Sequence, residues 1–384
     1  MPRRKKQRRG RKKKTIKHDS LIREVNLCDA DIVNKCLEII ANCNTNEAKK
    51  LLEEQIEDSY RDDIEQMQLL IAIIETVVDP RKNMIMRARF EDVPRDADGL
   101  LDITILGDDD FWKYFHMTRK TIKFVLKDVK SLPQELDICT NEAVRRLPIE
   151  IVVYICLIYL RCFKKDYTHI MTTFGLGSLE ILEAILERGF YMICLLKTHS
   201  GLLWPPLNQE VIETSRVIYE RYKFENVVGL LSQQTFITEK REKMQLQFVV
   251  NERSMIKAAE LNYNVTIRGA LYQATTIMEE INHLDDKYIC FGGPYYVSEY
   301  GTQNLYHRLI TPFPIKEDEE LDSDEQMFNF AHKLTMKLAV KCLCEMGRRF
   351  PRLFKLHRAI PEAIIAACVL HNYCMMYHDE APIY

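Results

Sequence analysis

The spacing of apolar and polar residues predicts helices at both ends of the chain and strands between them. Between residues 48 and 78, apolar side chains recur mostly three, four or seven positions apart among charged ones, as in an amphipathic helix. Asn226–Gln233 (NVVGLLSQ) is instead a short apolar run whose β-branched Val227 and Val228 favour a buried strand. Further strands are predicted at Gln245–Asn251, around Lys257–Val265 and at Tyr288–Gly293, and long helices at Met327–Arg349 and Pro361–Tyr377.

Helical patterns also precede the first predicted strand. Thr118 can cap a helix that carries Ile122 and Val125, and Leu147–Leu160 is a strongly apolar helix. The stretch from Tyr167 to Arg188 has the pattern of a helix-turn-helix, with a first helix at Tyr167–Thr173, a turn at Gly175–Gly177 and a second helix capped by Ser178.

The second helix of this pair has the wrong chemistry for reading DNA. It presents Glu180, Glu183 and Glu187, with Arg188 only at its end. Bases are read by Arg, Lys, Asn or Gln, and carboxylates repel phosphates. We therefore interpret the helix-turn-helix as scaffold.

These elements predict an α/β domain with a mixed sheet and flanking helices, preceded by an all-α region. The 384 residues are long enough for a large core and for more than one domain. The predicted divisions are a basic tail at 1–18, a helical region at 19–82, an acidic linker at 83–110, a helical domain at 111–220 and the α/β domain at 221–384. The amphipathic helix at 48–78 fits a partner-binding helix and a part of the globular body equally well.

Charge is distributed unevenly along the chain. The net charge is −2, but residues 1–18 hold eleven Lys/Arg and no acid, so the remainder carries −13. Such an acidic body is a poor general binder of phosphate backbones. The dense basic run favours a nuclear localisation signal over phosphate contact or a solubilising tail. Its residues are Arg3, Arg4, Lys5, Lys6, Arg8, Arg9, Arg11, Lys12, Lys13 and Lys14.

The chain has no recognisable export or membrane signal. The basic start is not followed by an apolar segment, and no run approaches the roughly 18 apolar residues of a membrane span. We therefore expect a soluble nuclear protein. The 12 cysteines are scattered without C-x-x-C pairs, which predicts neither a disulfide framework nor a zinc knuckle.

Two further segments have candidate binding chemistry. Cys368, His371, Cys374 and His378 have spacings that would place them on one helical face, but the helix is apolar and buried cysteine is common there, so we expect no metal. An acidic loop provides a candidate contact for a basic partner, although a solvated loop explains it equally well. Its acids are Glu317, Asp318, Glu319, Glu320, Asp322, Asp324 and Glu325.

A series of short motifs between residues 111 and 377 resembles the PIF/Harbinger class of transposase-derived proteins. Each motif is weak alone, but they follow one another in the order of that family. They are Phe115–Thr121 (FHMTRKT), Tyr167 with Phe174–Leu176 (FGL), Trp204–Pro205, Asn226–Gly229 (NVVG), Gly269–Gln273 (GALYQ), Gly292–Tyr296 (GGPYY), Thr311–Phe313 (TPF), Phe328–Asn329, Arg349–Phe350 and Ala366–Asn372 (AACVLHN).

The resemblance implies an RNase H-like fold whose active members cut DNA with an Asp, Asp, Glu triad that holds two metal ions. Such a pair of divalent cations requires carboxylate ligands. The positions that match the triad are Ser232, Gly293 and Val340, so all three expected carboxylates are absent. The nearest acids, Glu225, Asp285, Asp286 and Glu345, are more than one position away from the expected sites.

Three functions remain open from the sequence. The first is a catalytically inactive, domesticated transposase without a cofactor. It would act as a nuclear interaction scaffold with a Myb/SANT- or MADF-like DNA-binding or chromatin partner, and homodimerisation is possible. The second is a metal-dependent nuclease with a site rebuilt from the nearby acids. The third is nucleic-acid binding through the basic tail, which should weaken steeply with salt.

Overall fold

A five-stranded mixed sheet forms the centre of the computed structural model. Its strands are β1 Val227–Ile237, β2 Lys243–Val250, β3 Ile256–Tyr263, β4 Ile289–Gly292 and β5 Leu309–Ile310. They lie in the order β3-β2-β1-β4-β5; β2 is antiparallel to β1 and β3, and β4 is parallel to β1 and β5. The predicted mixed α/β class is confirmed. The structure describes residues 101–162, 167–237, 243–263, 276–293, 296, 308–314, 321–355 and 361–380.

Helices surround this sheet. Before it come α1 Asp108–Phe115, α2 Arg119–Ser131, α3 Glu142–Arg145, α4 Ile149–Arg161, α5 Tyr167–Phe174, α6 Leu179–Cys194 and α7 Asn208–Tyr222. After β3 come α8 Thr276–Asn282, α9 Ser323–Arg349 and α10 Pro361–Met376. Short 3-10 turns lie at Gln134–Leu136, between α2 and α3, and at Pro351–Lys355, between α9 and α10.

Local sequence signals explain most of the helix boundaries. The Thr118 and Ser178 side chains accept hydrogen bonds from the backbone N–H groups of Thr121 and Ile181, as predicted for N-caps. The predicted helix-turn-helix is present as α5 and α6, which are bent by 86° relative to each other. Helix α1 begins inside the stretch predicted to be linker, because its first turn contains three aspartates that favour a helix N-terminus.

The four predicted strands are present with ends shifted by one or two residues, except that β1 continues four residues beyond its predicted end at Gln233; β5 was not predicted. It consists of two residues and has no periodic pattern of its own. It exists through parallel pairing with β4, where Cys290 lies opposite Leu309. Such a strand depends on its neighbour and not on local sequence.

The two faces of the sheet meet different apolar layers. Side chains alternate along a strand, so successive residues of β1 point to opposite faces. Leu230 and Phe236 belong to the core shared with α9 and α10. Leu231 belongs to a second cluster with Trp204 and Ile281, on the side of α7 and α8. Gly229 is required at this crowded point, because an added Cβ would lie 2.6 Å from a methyl group of Val249.

The larger core continues from the helical region into the sheet. Phe111 of α1, Ile158 of α4 and Leu230 of β1 belong to the same buried cluster. All described residues lie in one compact unit. No single helix in the described ranges is long and apolar enough to cross a membrane; α5 and α6 meet the length and composition test only as a bent pair.

Candidate functional site

The first two expected carboxylate positions are neighbours in the sheet. Strands β1 and β4 run in parallel with Leu231 opposite Gly292, and the Gly293 N–H donates a hydrogen bond of 3.2 Å to the Leu231 carbonyl. Ser232 and Gly293, the next residues along, therefore lie side by side at the end of β4. Two residues 61 positions apart in the chain are brought together by parallel pairing.

The third position lies on a helix that packs against these strands. Val340 is in the middle of α9, which contacts β1, β2 and β4. Ser232 is on the same face of β1 as Leu230, the face that packs against α9. Ser232 and Val340 are only 3% and 7% exposed, so both positions are nearly closed to solvent.

The residues present at these positions do not fit a pair of metal ions. Two divalent cations have to be neutralised and clamped by carboxylates. The three positions supply a hydroxyl group, no side chain and an isopropyl group. The part of the chain that the structure describes contains no group of three or more His, Cys, Asp or Glu residues arranged to hold a metal ion.

Three of the four acids that could rebuild such a site lie elsewhere. Glu225 precedes β1, and Asp285 and Asp286 precede β4, so all three are at the opposite end of the parallel pair from Ser232. Seven residues of extended strand separate Glu225 from Ser232 by roughly 20 Å. The Arg308 side chain forms an ion pair with Asp286, and Glu345 lies 3.7 Å from the Lys341 ammonium group.

A shallow groove occurs at that opposite end. It has a volume of about 370 Å³ and is lined partly by Glu225, Asn226, Lys287 and Tyr288. One wall is α7, where Arg216 pairs with two glutamates of its own helix. The positive charge of Arg216 is therefore already compensated within α7.

The four residues considered for zinc do not meet as ligands. The His371 Nε2 lies 3.0 Å from the Ser254 carbonyl oxygen and 3.4 Å from the Cys342 sulfur. Burial lowers the pKa of His371 to about 4 and raises the pKa of the Cys368 and Cys374 thiols to about 12. Helix α10 ends at Met376, so His378, with φ 55°, leaves the helical line that the spacing assumed.

Arg188, the one basic residue at the end of the predicted reading helix, points into the protein. It is 9% exposed and donates hydrogen bonds to both carboxylate oxygens of Asp137 and to the Val144 carbonyl. The exposed residues on α6 include Glu180 and Glu187. This geometry agrees with the interpretation of α5 and α6 as scaffold.

The described part of the acidic loop caps the N-terminus of helix α9. The Asp322 carboxylate accepts hydrogen bonds from the N–H groups of Asp324 and Glu325, and the Glu325 carboxylate accepts one from the Asp322 N–H. This reciprocal capping box accounts for two of the acids without a partner protein. Glu317, Asp318, Glu319 and Glu320 lie outside the described residues, as does the basic run from Arg3 to Lys14.

Several of the sequence landmarks contact one another across the fold. The Arg349 guanidinium is 2% exposed; it donates to the His116 carbonyl at 2.8 Å and forms an ion pair with Asp379 at 3.3 Å. The His116 ring in turn lies 2.9 Å from the Arg349 carbonyl oxygen. Burial, with the nearby Arg161, holds the pKa of His116 well below its usual range. Sequence reasoning missed Asp379, because no motif surrounds it in the sequence.

Two asparagines of the landmarks have equivalent roles at different depths. Asn372 of α10 accepts from the Ile256 N–H at 2.8 Å and donates to the Ile256 carbonyl at 2.6 Å, in the buried core. Asn329 of α9 makes the same pair of bonds with Phe313, at 2.8 and 2.9 Å, at the surface. Each asparagine thus fixes a helix to a separate backbone segment.

Comparisons of the chain with protein-family models, with curated proteins and with solved structures found no match.

Proposed function

We propose that this protein is a domesticated, transposase-derived RNase H-like protein that no longer cuts DNA and acts in the nucleus as an interaction scaffold. Its partner would be a Myb/SANT- or MADF-like DNA-binding or chromatin protein. The observation that carries the proposal is that Ser232 and Gly293 lie side by side, one residue beyond the last pair of β1 and β4, where the resemblance expects two carboxylates.

The sheet topology supports the RNase H-like part of the proposal. An order of 3-2-1-4-5, with only the second strand antiparallel to the others, is the arrangement expected of that fold. A helix after the last strand then packs on the first and fourth strands, as α9 does. This is the arrangement in which two strands and one helix supply the three metal ligands.

The contacts between landmarks support the resemblance independently of the missing ligands. Arg349 bonds to His116, and Asn329 bonds to Phe313, although each pair belongs to motifs that were selected from sequence alone. Gly229 packs tightly beside Trp204 in the same way. Because residues of separate motifs contact one another, these contacts favour a retained family fold without the catalytic carboxylates.

The charge of the body favours an interaction role over direct DNA contact. Residues 19–384 carry −13, of which −9 lies in residues 19–100 and −4 in residues 101–384, and the Arg188 side chain is engaged inside the protein. An acidic surface attracts a basic partner and repels phosphate. A DNA-binding partner would therefore supply the contact with chromatin.

The test of the scaffold is affinity purification of the full chain from nuclei, with the bound proteins identified by mass spectrometry. We expect a Myb/SANT- or MADF-like protein to be recovered in stable amounts after nuclease treatment. The matched control is the same chain without residues 1–18, which should lose nuclear entry but retain the partner in a nuclear extract. Recovery of no DNA-binding or chromatin protein would remove the support for the proposal.

The loss of cutting is tested separately on supercoiled DNA with Mg²⁺ or Mn²⁺. We expect the purified full chain to leave the DNA intact at both metals. Metal-dependent nicking that disappears in the variant Asp285→Ala or Glu345→Ala would instead establish a rebuilt nuclease.

A further inference from the structure

Helix α9 has an exposed apolar stripe that no other described part of the chain covers. Its inner face is buried through residues such as Met336 and Leu343. On the outer face, Met327 and Phe330 are each 65% exposed, and Leu334 is half-buried beside them. Residues three and four positions apart lie on the same side of a helix, so these three side chains are neighbours.

Lysines continue the same stripe toward the end of the helix. Lys337 and Lys341 follow Leu334 at spacings of three and four, and Lys333 lies next to them; all three are exposed. At the other end, Asp322 and Asp324 are exposed at the N-terminus of the helix. From Asp322 to Lys341 the outer face thus runs from acidic through apolar to basic along roughly 29 Å of helix.

We infer that this face of α9 is the contact between two copies of the chain, arranged antiparallel about a two-fold axis. A two-fold contact is made by the same surface on both subunits and therefore requires self-complementarity. Reversing the acidic-apolar-basic order places the acids of each helix against the lysines of the other. The apolar middle then meets its own copy.

A register centred at residue 332 satisfies the whole stripe. Phe330 packs against Leu334 of the second copy, and Met327 packs against the aliphatic part of its Lys337. Lys341, which also lies 3.7 Å from Glu345 of its own helix, reaches Asp324 of the second copy. Both ends are satisfied at once because the symmetry repeats each contact.

A nucleic acid is a poorer occupant of the same face. Phosphates would meet the lysines, but they would leave Met327 and Phe330 exposed and would approach the acids at the other end. Two large apolar side chains exposed side by side are typical of a protein contact.

The experiment is sedimentation equilibrium of the full chain over a range of concentrations. We expect a concentration-dependent dimer, and we expect Phe330→Asp to raise the dimer dissociation constant by at least about tenfold, because it removes the central apolar contact. Ile138→Asp is the matched control, since Ile138 is 62% exposed on a different part of the surface. Circular dichroism establishes that both variants remain folded.

A charge exchange tests the antiparallel register. Lys341→Glu and Asp324→Lys should each weaken the dimer, and the double variant should recover affinity because the exchanged charges pair again across the two-fold axis. A chain that stays monomeric at every concentration overturns the inference, even if Phe330→Asp then abolishes binding to another protein or to DNA. A dimer that is insensitive to Phe330→Asp overturns it as well, whereas the partner recovered from nuclei is a separate result.

Discussion

The imidazole ring of His332 in α9 packs against the aromatic rings of two phenylalanines. Its centroid lies 4.6 Å from that of Phe291 and 5.8 Å from that of Phe328, and the residue is 2% exposed. Burial lowers the pKa of His332 to about 4, although a backbone hydrogen bond at Ile310 opposes the shift. The ring is therefore neutral in the folded protein at neutral pH, and protonation has to occur against the apolar surroundings.

This shift predicts a loss of stability in mild acid. The unfolded chain takes up a proton near pH 6.5 and the folded chain only near pH 4, so the stabilisation is complete above pH 6.5 and is lost as the pH falls toward 4. As the pH falls through this window, the free energy of unfolding should decrease less in His332→Phe than in the wild type. The difference between the two proteins is up to about 1.4 kcal/mol per pH unit. Urea denaturation at several pH values measures both proteins, with the exposed His199→Phe as control. Parallel curves for wild type and His332→Phe would contradict the prediction.

At the scale of elements, side-chain amides connect helices to strands where backbone pairing cannot. The first residue of β3 is Ile256, and its backbone bonds to a side chain where a neighbouring strand would otherwise lie. The Asn372 amide accepts from the Ile256 N–H and donates to the Ile256 carbonyl. Ile256 is fully buried, so these backbone groups have no access to water. Helix α10 and the β2–β3 hairpin are held together by this pair of bonds.

Asn372→Ala should destabilise the protein more than Asn329→Ala. The first variant leaves two buried backbone groups without partners, at about 1–3 kcal/mol each, whereas water can replace the bonds lost at the surface by the second. Chemical denaturation of the two variants measures the difference, and the same two-bond geometry makes Asn329 a matched control. Equal losses of stability in the two variants would show that depth is not the deciding factor.

At the scale of the whole molecule, the helical region and the sheet share one core. The change from helical to strand patterns predicts a boundary near residue 220, and the buried cluster includes Phe111, Ile158 and Leu230 on both sides of it. A single apolar core generally unfolds as one cooperative unit. Both tryptophans precede this boundary in the chain, but Trp112 lies in α1, whereas Trp204 packs in the apolar cluster against the sheet.

These tryptophans predict coincident unfolding transitions. In Trp204→Phe the fluorescence reports Trp112 in the helical region, and in Trp112→Phe it reports Trp204 beside β1. Within each variant, the fluorescence midpoint should match the midpoint from circular dichroism, because both regions lose the same core. An early, separate transition at Trp112 would instead support an independent helical domain.

The sequence by itself determined the local elements and the residues present at the positions where the resemblance expects carboxylates. Helix and strand periods are properties of neighbouring residues, so β1, α9 and the Ser178 cap could be predicted, and the resemblance pointed to Ser232, Gly293 and Val340. Only the tertiary structure decided which distant residues meet. The two-residue strand β5, the side-by-side placement of Ser232 and Gly293 and the ion pair of Arg349 with Asp379 depend on register and packing between segments far apart in the chain, and no local pattern contains that information.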